Sequence, residues 1–368
     1  MRIIASNSAY GAGGIGQHTA QLIEESRASG DLQAYFVPVP RPDDRYGNRL
    51  SVPEWQKLLV QYSPLRYAPG WGSYLLNDFF DRAVARTLSP PVHSFMGFVG
   101  KSLRSFRRAR SLGATTLELV VANSHVRNVE ALHRRAAADT GIADTWLNRA
   151  QIRKTLREYE EADLIYTHSD YTRASLLEHG IPEEKLRRTV LQVNSRFRPP
   201  DRRPSDETFR IVYVGRVDAT KGIPLLLDAY EQLDVPNKEL ILVGSWSTRR
   251  MATYMRRRLA ELEGVNIAPG DPLPTLHTAD VFVHPSYEDG FGYAPMEALA
   301  TGVPTIVTAD TGMKEYVVEG TNGFVVPTGS VEAIVERLHT LHARPLATTH
   351  SLLPTTHPLS REPTVGAA

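Results

Sequence analysis

Short apolar runs alternate with amphipathic segments along most of the chain. The runs are rich in Val, Ile and Leu, as buried strands are, and the segments between them repeat apolar residues at helical spacing. Strands are predicted at residues 3–6, 34–38, 92–95, 115–121, 164–167 and 190–193, and again at 210–214, 240–243, 265–267, 281–284, 305–307 and 323–325. Helices are predicted between them, for example at 16–28, 101–112, 225–232 and 249–263. This alternation predicts an α/β protein with doubly wound parallel sheets.

A proline-rich, charged stretch near the middle of the chain predicts a domain boundary. It reads FRPPDRRPSDE and predicts a linker at residues 197–208. The linker separates a Rossmann-like domain at 1–196 from a second one at 209–342. Residues 343–368 are rich in Pro and Thr without helical period, which predicts a disordered tail. Residues 41–72 have no regular pattern and are predicted to be an insertion in the first domain.

Charge and composition exclude several classes of protein. The formal net charge is only +1, so no nucleic-acid partner is predicted. The absence of cysteine excludes disulfides and thiol catalysis and is compatible with a reducing compartment. The N-terminus does not read as a signal peptide, and no apolar run approaches the roughly 20 residues of a membrane span. We therefore expect a cytoplasmic protein.

The most informative motif follows the predicted strand at 281–284. It reads HPSYEDGFGYAPMEAL and places Asp289 in a loop and Glu297 in the first turns of a helix. Backbone N–H groups at a helix start have no partner inside the helix and can hold an anion. Anion-binding amides between two carboxylates suit a ligand with a phosphate in the middle and hydroxyls at both ends, and a nucleotide sugar is such a ligand.

A second motif follows the first strand of the C-terminal domain. It reads YVGRVDATKG and places Arg216 and Lys221 near the start of the next helix. Two cations close to a helix N-terminus can neutralise a diphosphate and stabilise it as a leaving group.

A glycine-rich loop near the N-terminus reads GAGGIG. It formally matches a dinucleotide-binding fingerprint, but residues 7–10 separate it from the first strand and no acid ends the second strand. The nicotinamide interpretation therefore fails. What remains is a flexible loop at Gly13 and Gly14 where backbone can approach a phosphate or sugar, or a plain strand–helix turn.

Together these motifs resemble family 4 glycosyltransferases, which are retaining enzymes of the GT-B fold. That fold has two Rossmann-like domains facing across a cleft. The resemblance covers residues 1 to about 338 and implies transfer of a hexose from a nucleotide diphosphate sugar to a glycan or lipid-linked acceptor. It implies no cofactor besides that donor, and metal-independent catalysis. The sequence contains no H-E-x-x-H motif, no D-x-D motif and no Cys/His cluster at the spacing of metal ligands.

The family's roles fall on named residues of the acid motif. Asp289 would bind the hydroxyls of the donor sugar, although the family usually has Glu there, and Glu288 could take over in a shifted loop. Glu297 would bind the ribose. The distal phosphate would meet backbone amides of the residues between the acids, namely Phe291, Gly292, Tyr293 and Ala294.

Further roles are implied elsewhere. Arg216 and Lys221 would bind the diphosphate, and Gly13 and Gly14 would lie in the family's N-terminal glycine loop. The family often presents a histidine from the carboxyl end of an N-domain strand, and His93 is the preferred candidate over His125. Each of the two is also compatible with a packing or surface histidine.

Two function classes stay open. The first is an active hexosyltransferase of polysaccharide biosynthesis, with a sugar phosphorylase or nucleotide-sugar epimerase as a weaker rival. The second is a catalytically inactive donor-binding subunit, motivated by Asp289 and by a tail that lacks the family's usual final helices. The basic run at residues 101–110 is either a solvated helix face or an attachment to anionic lipid, which would place the protein at the inner face of a membrane.

Overall fold

The computed structural model describes residues 1–63, 69–204, 206–246 and 248–353. Ser205, in the predicted linker, and residues 354–368 of the predicted tail lie outside the described residues. The chain forms two compact units that interleave along the sequence. The first unit comprises Met1–Arg134, Ala143–Gln192 and Glu288–Phe291, and the second comprises Arg135–Ile142, Val193–Tyr287 and the residues from Gly292 onwards.

The first unit is built on a seven-stranded, all-parallel sheet of order β3-β2-β1-β4-β5-β6-β7. Its strands are β1 (Arg2–Ala5), β2 (Leu32–Val37), β3 (Gly47–Arg49), β4 (Ser94–Phe98), β5 (Thr116–Val120), β6 (Leu164–Thr167) and β7 (Leu186–Arg188). Its helices are α1 (Gly13–Ala28), α2 (Glu54–Tyr62), α3 (Pro69–Thr87), α4 (Leu103–Ser111), α5 (Val126–Thr140), α6 (Arg149–Glu161) and α7 (Asp170–Glu178), and α5 ends in the second unit.

The second unit has a six-stranded, all-parallel sheet of order β10-β9-β8-β11-β12-β13. Its strands are β8 (Phe209–Val214), β9 (Lys238–Val243), β10 (Val265–Ile267), β11 (Val281–His284), β12 (Thr305–Thr308) and β13 (Gly323–Val326). Its helices are α8 (Ile223–Gln232), α9 (Arg249–Glu261), α10 (Leu273–Leu276), α11 (Tyr293–Ala300) and α12 (Val331–Ala343). Short 3-10 helices occupy Glu183–Lys185 in the first unit and Gly312–Tyr316 in the second.

Burial explains why these segments form central strands. Every residue of β11 and β12 is buried, which is typical of parallel strands covered by helices on both faces. Apolar side chains of β8, β9 and α8 form one core with α12. At roughly 25 cal/mol per Å² of apolar surface removed from water, such burial is the main stabilising term of each unit.

Two residues of the predicted linker pack within the second unit. Phe197, in the predicted linker, packs in a buried cluster with Val212 and Phe282. The Arg203 guanidinium donates to the carbonyl oxygens of Ala279 at 2.9 Å, Thr301 at 2.6 Å and Thr348 at 3.0 Å.

The chain after α12 continues along the second unit as far as Leu353. The backbone N–H of Thr348 donates to the carbonyl of Gly302 at 2.9 Å, and that of Leu352 donates to the carbonyl of Leu299 at 2.8 Å. Residues 344–353, which fall in the predicted tail, therefore contact the second unit.

Candidate functional site

The candidate site of the second unit lies at the carboxyl ends of the neighbouring strands β8 and β11. These strands are neighbours, but β8 leads through α8 to β9 on one side, whereas β11 leads through α11 to β12 on the other. The loops after them therefore leave in opposite directions, and open α/β sheets bind ligands at such a point. The two strongest sequence motifs are these two loops.

The loop between β8 and α8 presents two cations. Arg216 is about half exposed, and its Nη2 lies 3.2 Å from Oδ2 of the buried Asp218. Asp218 Oδ1 accepts from the backbone N–H of Lys221 at 2.9 Å and from the Thr220 hydroxyl at 2.7 Å. One buried carboxylate thus fixes the backbone of this loop and orients the Arg216 guanidinium.

The two loops approach each other closely at a glycine. The backbone N–H of Tyr287 donates to the carbonyl of Thr220 at 2.9 Å. Gly222 has a φ of +71°, and a Cβ placed on it would lie 2.0 Å from the carbonyl oxygen of Pro285. A residue with a side chain would be strained there, because the positive φ disfavours it and its Cβ would displace the Pro285 carbonyl.

The N-terminus of α11 has the features of an anion-binding helix start. Gly292, with a φ of +95°, precedes the helix, no side chain caps it and its first turn contains no acid. Tyr293 and Ala294 are half-buried at this end, whereas Glu297 is buried at 5 % exposure inside the helix. The uncapped amides give this end a partial positive charge.

The start of the acid motif belongs to the first unit. Glu288 is buried, and its carboxylate accepts from Asn123 Nδ2 and from the backbone N–H of Ser124, each at 2.7 Å. The Gly290 carbonyl accepts from the hydroxyls of Ser169 and Thr172. Both Glu288 oxygens thus have partners within this unit, whereas Asp289 is half-exposed.

The glycine loop of the first unit leads directly into a helix. Gly13 and Gly14 are the first residues of α1 and are exposed. No side chain caps this end, and no acid lies in the first turn. The loop follows β1, which has β2 on one side and β4 on the other, so it also lies at a point where the strand order reverses.

The predicted position of His93 was wrong. His93 precedes the first residue of β4 and is exposed, so it lies at the amino end of that strand. Its carbonyl accepts from the backbone N–H of Thr115, which precedes β5. All seven strands are parallel, so the glycine loop lies at the opposite edge of the sheet. The apolar pattern had placed the strand two residues too early.

His125 is a packing histidine. Its ring stacks on that of His179 with centroids 4.1 Å apart, and it contacts Tyr159. Burial and the neighbouring His179 lower the pKa of His125 to about 4, so the ring is neutral.

Sequence reasoning missed a pair of histidines in the first unit. His18 in α1 and His168 after β6 are both buried, with ring centroids 4.2 Å apart in an edge-to-face arrangement. Burial lowers the pKa of His168 to about 3 and that of His18 well below its ordinary value. His18 lies directly after the glycine loop, which was the one available signal.

Two kinds of feature are absent from the described part of the chain. Within residues 1–63, 69–204, 206–246 and 248–353, no group of three or more His, Asp or Glu side chains is placed to hold a metal ion. A search of the same residues found no helix with the length and apolarity that a membrane span requires.

Comparison with known proteins agrees with this geometry. The family described as glycosyl transferases group 1 matches residues 195–350. The capsular polysaccharide biosynthesis glycosyltransferase CapM of Staphylococcus aureus is 33 % identical over 143 residues, which are 37 % of each chain. The putative colanic acid biosynthesis glycosyltransferase WcaL of Escherichia coli is 30 % identical over 196 residues, 49 % of this chain and 48 % of that one. The aligned stretch thus spans less than half the length of these two relatives.

A longer match has a lower identity. A GDP-mannose-dependent phosphatidylinositol monomannoside mannosyltransferase of Mycolicibacterium smegmatis is 28 % identical over 311 residues, which cover 76 % of this chain and 81 % of that one.

Solved structures resemble the fold over nearly the whole chain. A sucrose-phosphate synthase from Thermosynechococcus elongatus has a TM-score of 0.70 at 20 % identity and covers 95 % of this chain and 91 % of its own. The glycosyltransferase WaaG, involved in lipopolysaccharide biosynthesis, has a TM-score of 0.68 at 15 % identity, with 94 % and 91 % covered. At these identities the likeness concerns the fold alone.

The two Rossmann-like units and these structural neighbours define the class of protein. It is an α/β protein of the GT-B fold, as the sequence predicts. The model of the group 1 glycosyltransferases matches residues 195–350, and the relatives carry glycosyltransferase names, which supports the predicted family.

Proposed function

We propose that this chain is a retaining hexosyltransferase that moves a hexose from a nucleotide diphosphate sugar to a hydroxyl of a glycan or lipid-linked acceptor. The observation that carries the proposal is the pair of loops after β8 and β11. One presents Arg216 and Lys221, the other ends in the uncapped start of α11, and the Tyr287–Thr220 hydrogen bond joins them. The names of CapM and WcaL, both of which refer to polysaccharide biosynthesis, support a glycan product.

In the proposed reaction the second unit binds the donor. Arg216, Lys221 and the amides at the start of α11 bind the diphosphate and bear the charge that develops as it leaves. Removing one such preorganised group typically costs about 10²- to 10³-fold in rate. The proposal includes no metal ion and no cofactor besides the donor.

The acids of the motif have separate roles in the proposal. Glu297, on α11, binds the ribose, and Asp289, in the loop before it, binds hydroxyls of the donor sugar. Asp289 is the better candidate for the sugar contact, because Glu288 already accepts two hydrogen bonds from Asn123 and Ser124. Asp and Glu both accept hydroxyl hydrogen bonds, so the shorter Asp side chain keeps the chemistry and changes only its reach.

The proton of the acceptor hydroxyl has a destination without a protein base. In a retaining displacement the acceptor attacks on the face from which the diphosphate departs. An oxygen of the departing phosphate then receives the proton while the glycosidic bond to the donor phosphate breaks. No histidine is needed for this step, and the exposed His93 has no part in it.

Contact with a membrane surface is a finer part of the proposal. On the basic helix α4, Arg104, Arg107 and Arg110 each pair with a carboxylate, which weakens their attraction for lipid phosphates. The helix α2 supports the proposal better, because it presents four exposed apolar residues at helical spacing, namely Trp55, Leu58, Leu59 and Tyr62. The helix α3 packs against both α2 and α4, so the apolar face and the arginines belong to one helical layer.

The test of the donor site is thermal stability against a panel of UDP-, GDP- and ADP-sugars. A ligand that binds only the folded state adds about 2.7 kcal/mol at 100 times its Kd. We expect one nucleotide sugar to raise the Tm of the wild type and to raise it much less in Lys221→Ala and Glu297→Ala. The matched controls are Arg257→Ala on α9 and Glu336→Ala on α12, which remove exposed charges of the same sign elsewhere in the second unit.

Turnover assays with the stabilising donor then separate the two function classes. Glycosyl transfer to any acceptor, reduced in the Lys221 and Glu297 variants but not in the controls, establishes the enzyme. Donor binding with no transfer to any glycan or lipid-linked acceptor would favour the inactive donor-binding subunit. No Tm shift with any donor would contradict the whole assignment.

A further inference from the structure

A buried lysine lies at the point of the first unit where the strand order reverses. β1 leads through α1 to β2, whereas its other neighbour, β4, leads through α4 to β5. Asn7 lies in the loop after β1, and Lys101 lies in the loop after β4. The Lys101 ammonium donates to Asn7 Oδ1, and Asn7 Nδ2 donates to Asn77 Oδ1 of α3 at 2.5 Å. The ammonium thus connects the loops that follow two neighbouring strands at the point where the strand order reverses, and open α/β sheets bind ligands at such a point.

No carboxylate of the described residues forms an ion pair with this ammonium. Lys101 is only 8 % exposed. Within the described part of the chain, the groups that its ammonium contacts are the neutral amide of Asn7 and the face of the Phe98 ring, whose centroid is 5.8 Å away. Glu158 lies near enough to influence it, but the Glu158 carboxylate already accepts from the backbone N–H groups of Gly100, Ser102 and Leu103. Placing a charge in such surroundings is unfavourable unless a partner of opposite charge joins it.

Burial is also reflected in the proton affinity of the lysine. It lowers the pKa of Lys101 to about 8, and the nearby Lys154 acts in the same direction, although Glu158 opposes both. An anion bound beside the ammonium would favour the charged form.

The loop that carries Asn7 adds a second attraction for an anion. It continues through the exposed Gly11 and Ala12 into α1, a helix of 16 residues whose first turn has neither a capping side chain nor an acid. The free amides at this end carry a partial positive charge. A buried cation without an ion pair in the described residues and an uncapped helix start therefore follow the neighbouring strands β4 and β1 at the same edge of the sheet, and both features favour an oxyanion.

We propose that Lys101 binds an oxyanion, a phosphate or a carboxylate, carried by the glycosyl acceptor, and that Asn7 and Asn77 hold its ammonium in position. This inference rests on the proposed function, since it assigns the acceptor to the first unit and defines its chemistry. It makes Lys101 a determinant of acceptor specificity, and it predicts that neutral acceptors are poor substrates.

The test uses Lys101→Met, which keeps the length of the side chain and removes its charge. The matched control is Arg108→Met, which removes an exposed cation from α4 of the same unit. Binding of inorganic phosphate is measured calorimetrically with Lys221→Ala in the background of every variant, so that the donor site contributes little. We expect Lys101→Met to weaken phosphate binding at least tenfold and Arg108→Met to leave it unchanged. Equal phosphate binding in both variants would overturn the proposal. So would the absence of phosphate binding in the protein that carries Lys221→Ala alone.

Transfer assays identify the source of the oxyanion. With the donor that stabilises the chain, glucose, glucuronate and glucose 6-phosphate are compared as acceptors. We expect a higher kcat/KM for one of the two anionic sugars than for glucose, and loss of this preference in Lys101→Met. Preference for glucuronate indicates a carboxylate, and preference for glucose 6-phosphate indicates a phosphate. Equal use of all three acceptors by the wild type would overturn the proposal.

Two further measurements exclude other roles of Lys101. If the lysine only fastens the loops, Lys101→Met lowers stability in urea, whereas removal of an uncompensated buried charge leaves stability equal or higher. If Lys101 binds the donor, the variant loses the donor-induced Tm shift as Lys221→Ala does. Either result would overturn the acceptor assignment. Failure of the proposed function gives a different result. In that case the wild type binds no donor, but it still binds phosphate and loses this binding in Lys101→Met.

Discussion

The two units carry different chemistry at the same edge of similar sheets. In the second unit the cations Arg216 and Lys221 lie in one loop, and the acid Glu297 lies in the helix that follows a neighbouring strand. In the first unit the corresponding edge has the buried Lys101, which donates to Asn7, and Asn7 in turn donates to Asn77. These three residues come from three separate parts of the chain. Candidate ligand-binding residues that lie within one loop produce a contiguous sequence motif. Groups that only the fold brings together do not.

The two edges are also held in place by different kinds of contact. In the second unit the loops after β8 and β11 are joined by backbone contacts around Gly222, so their geometry depends on one glycine. In the first unit side chains connect the loops, and the buried His18 and His168 pack near the glycine loop. We therefore expect substitutions that alter the backbone to disrupt the loops of the second unit. In the first unit we expect changes of charge to have the larger effect.

The largest expected effect is that of Gly222→Ala. The new methyl group would meet the Pro285 carbonyl, and the backbone would be held at a φ of +71°, which an L-residue disfavours. Strain and overpacking together cost about 3 kcal/mol or more. Urea unfolding measures the loss, and hydrogen exchange of β8 and β11 assigns it to the second unit. Donor-induced stabilisation should disappear as well.

The matched control is Gly320→Ala. Gly320 has a nearly equal φ of +69°, but no atom lies within 4 Å of the position of an added Cβ. Only the conformational cost remains, about 1 kcal/mol. Equal losses in the two variants would mean that the contact between the two loops contributes nothing to stability.

Much of the fold could be predicted because parallel strands are buried on both faces and form apolar runs. The predicted strands at 164–167, 265–267 and 281–284 coincide with β6, β10 and β11. The prediction at 190–193 was wrong, since the last strand of the first sheet is β7 at Leu186–Arg188, where two arginines interrupt the apolar pattern. Edge strands bury less surface, so their composition is less distinctive.

The segment at residues 41–72 shows a second limit of sequence reasoning. It was predicted to be irregular, but its described part contains the short edge strand β3 and the helix α2. The helix exposes Trp55, Leu58, Leu59 and Tyr62, so its apolar face does not point into a core, as pattern reasoning assumes.

The candidate site was predictable to the extent that its residues are contiguous. The positions of Arg216, Lys221 and Glu297 in a loop and a helix start follow from the strand–loop–helix pattern. The bonds of Glu288 to Asn123 and Ser124 could not be predicted, because these residues are 164 or more positions apart in the chain. The positions of His18 and His168 depend in the same way on long-range packing.

The second expected effect is an acid-induced loss of stability in the first unit. His168 has a pKa of about 3 in the folded protein against an ordinary value of 6.5, so the unfolded chain binds the proton more readily. The stability that neutral His168 provides is complete above pH 6.5 and is lost progressively as the pH falls towards 3. At pH 5 the loss is roughly 2 kcal/mol. The lowered pKa values of His18 and His125 act in the same direction.

Urea unfolding of His168→Gln between pH 7 and pH 5 measures this contribution. We expect the variant to be less stable at pH 7, because its packing and its contact with the Thr189 hydroxyl are altered, but to lose less stability on acidification than the wild type. His93→Gln removes an exposed histidine from the same unit and should retain the wild-type slope. Parallel pH profiles for all three proteins would mean that His168 binds its proton as readily in the folded protein as in the unfolded chain.

The smallest expected effect is that of His93→Ala on activity, and it decides which edge of the first sheet is functional. His93 is exposed at the amino end of β4, while Gly13, Asn7 and Lys101 follow the carboxyl ends of β1 and β4. A surface substitution away from a site changes free energies by about 0.5 kcal/mol at most, so kcat/KM should stay within about a factor of two of the wild type. Lys101→Met should lower kcat/KM at least tenfold with an anionic acceptor in the same assay. A tenfold loss in His93→Ala with unchanged stability would place acceptor chemistry at the amino edge. It would contradict the assignment of both loops that follow β1 and β4, because a parallel sheet separates its two edges by the full length of its strands.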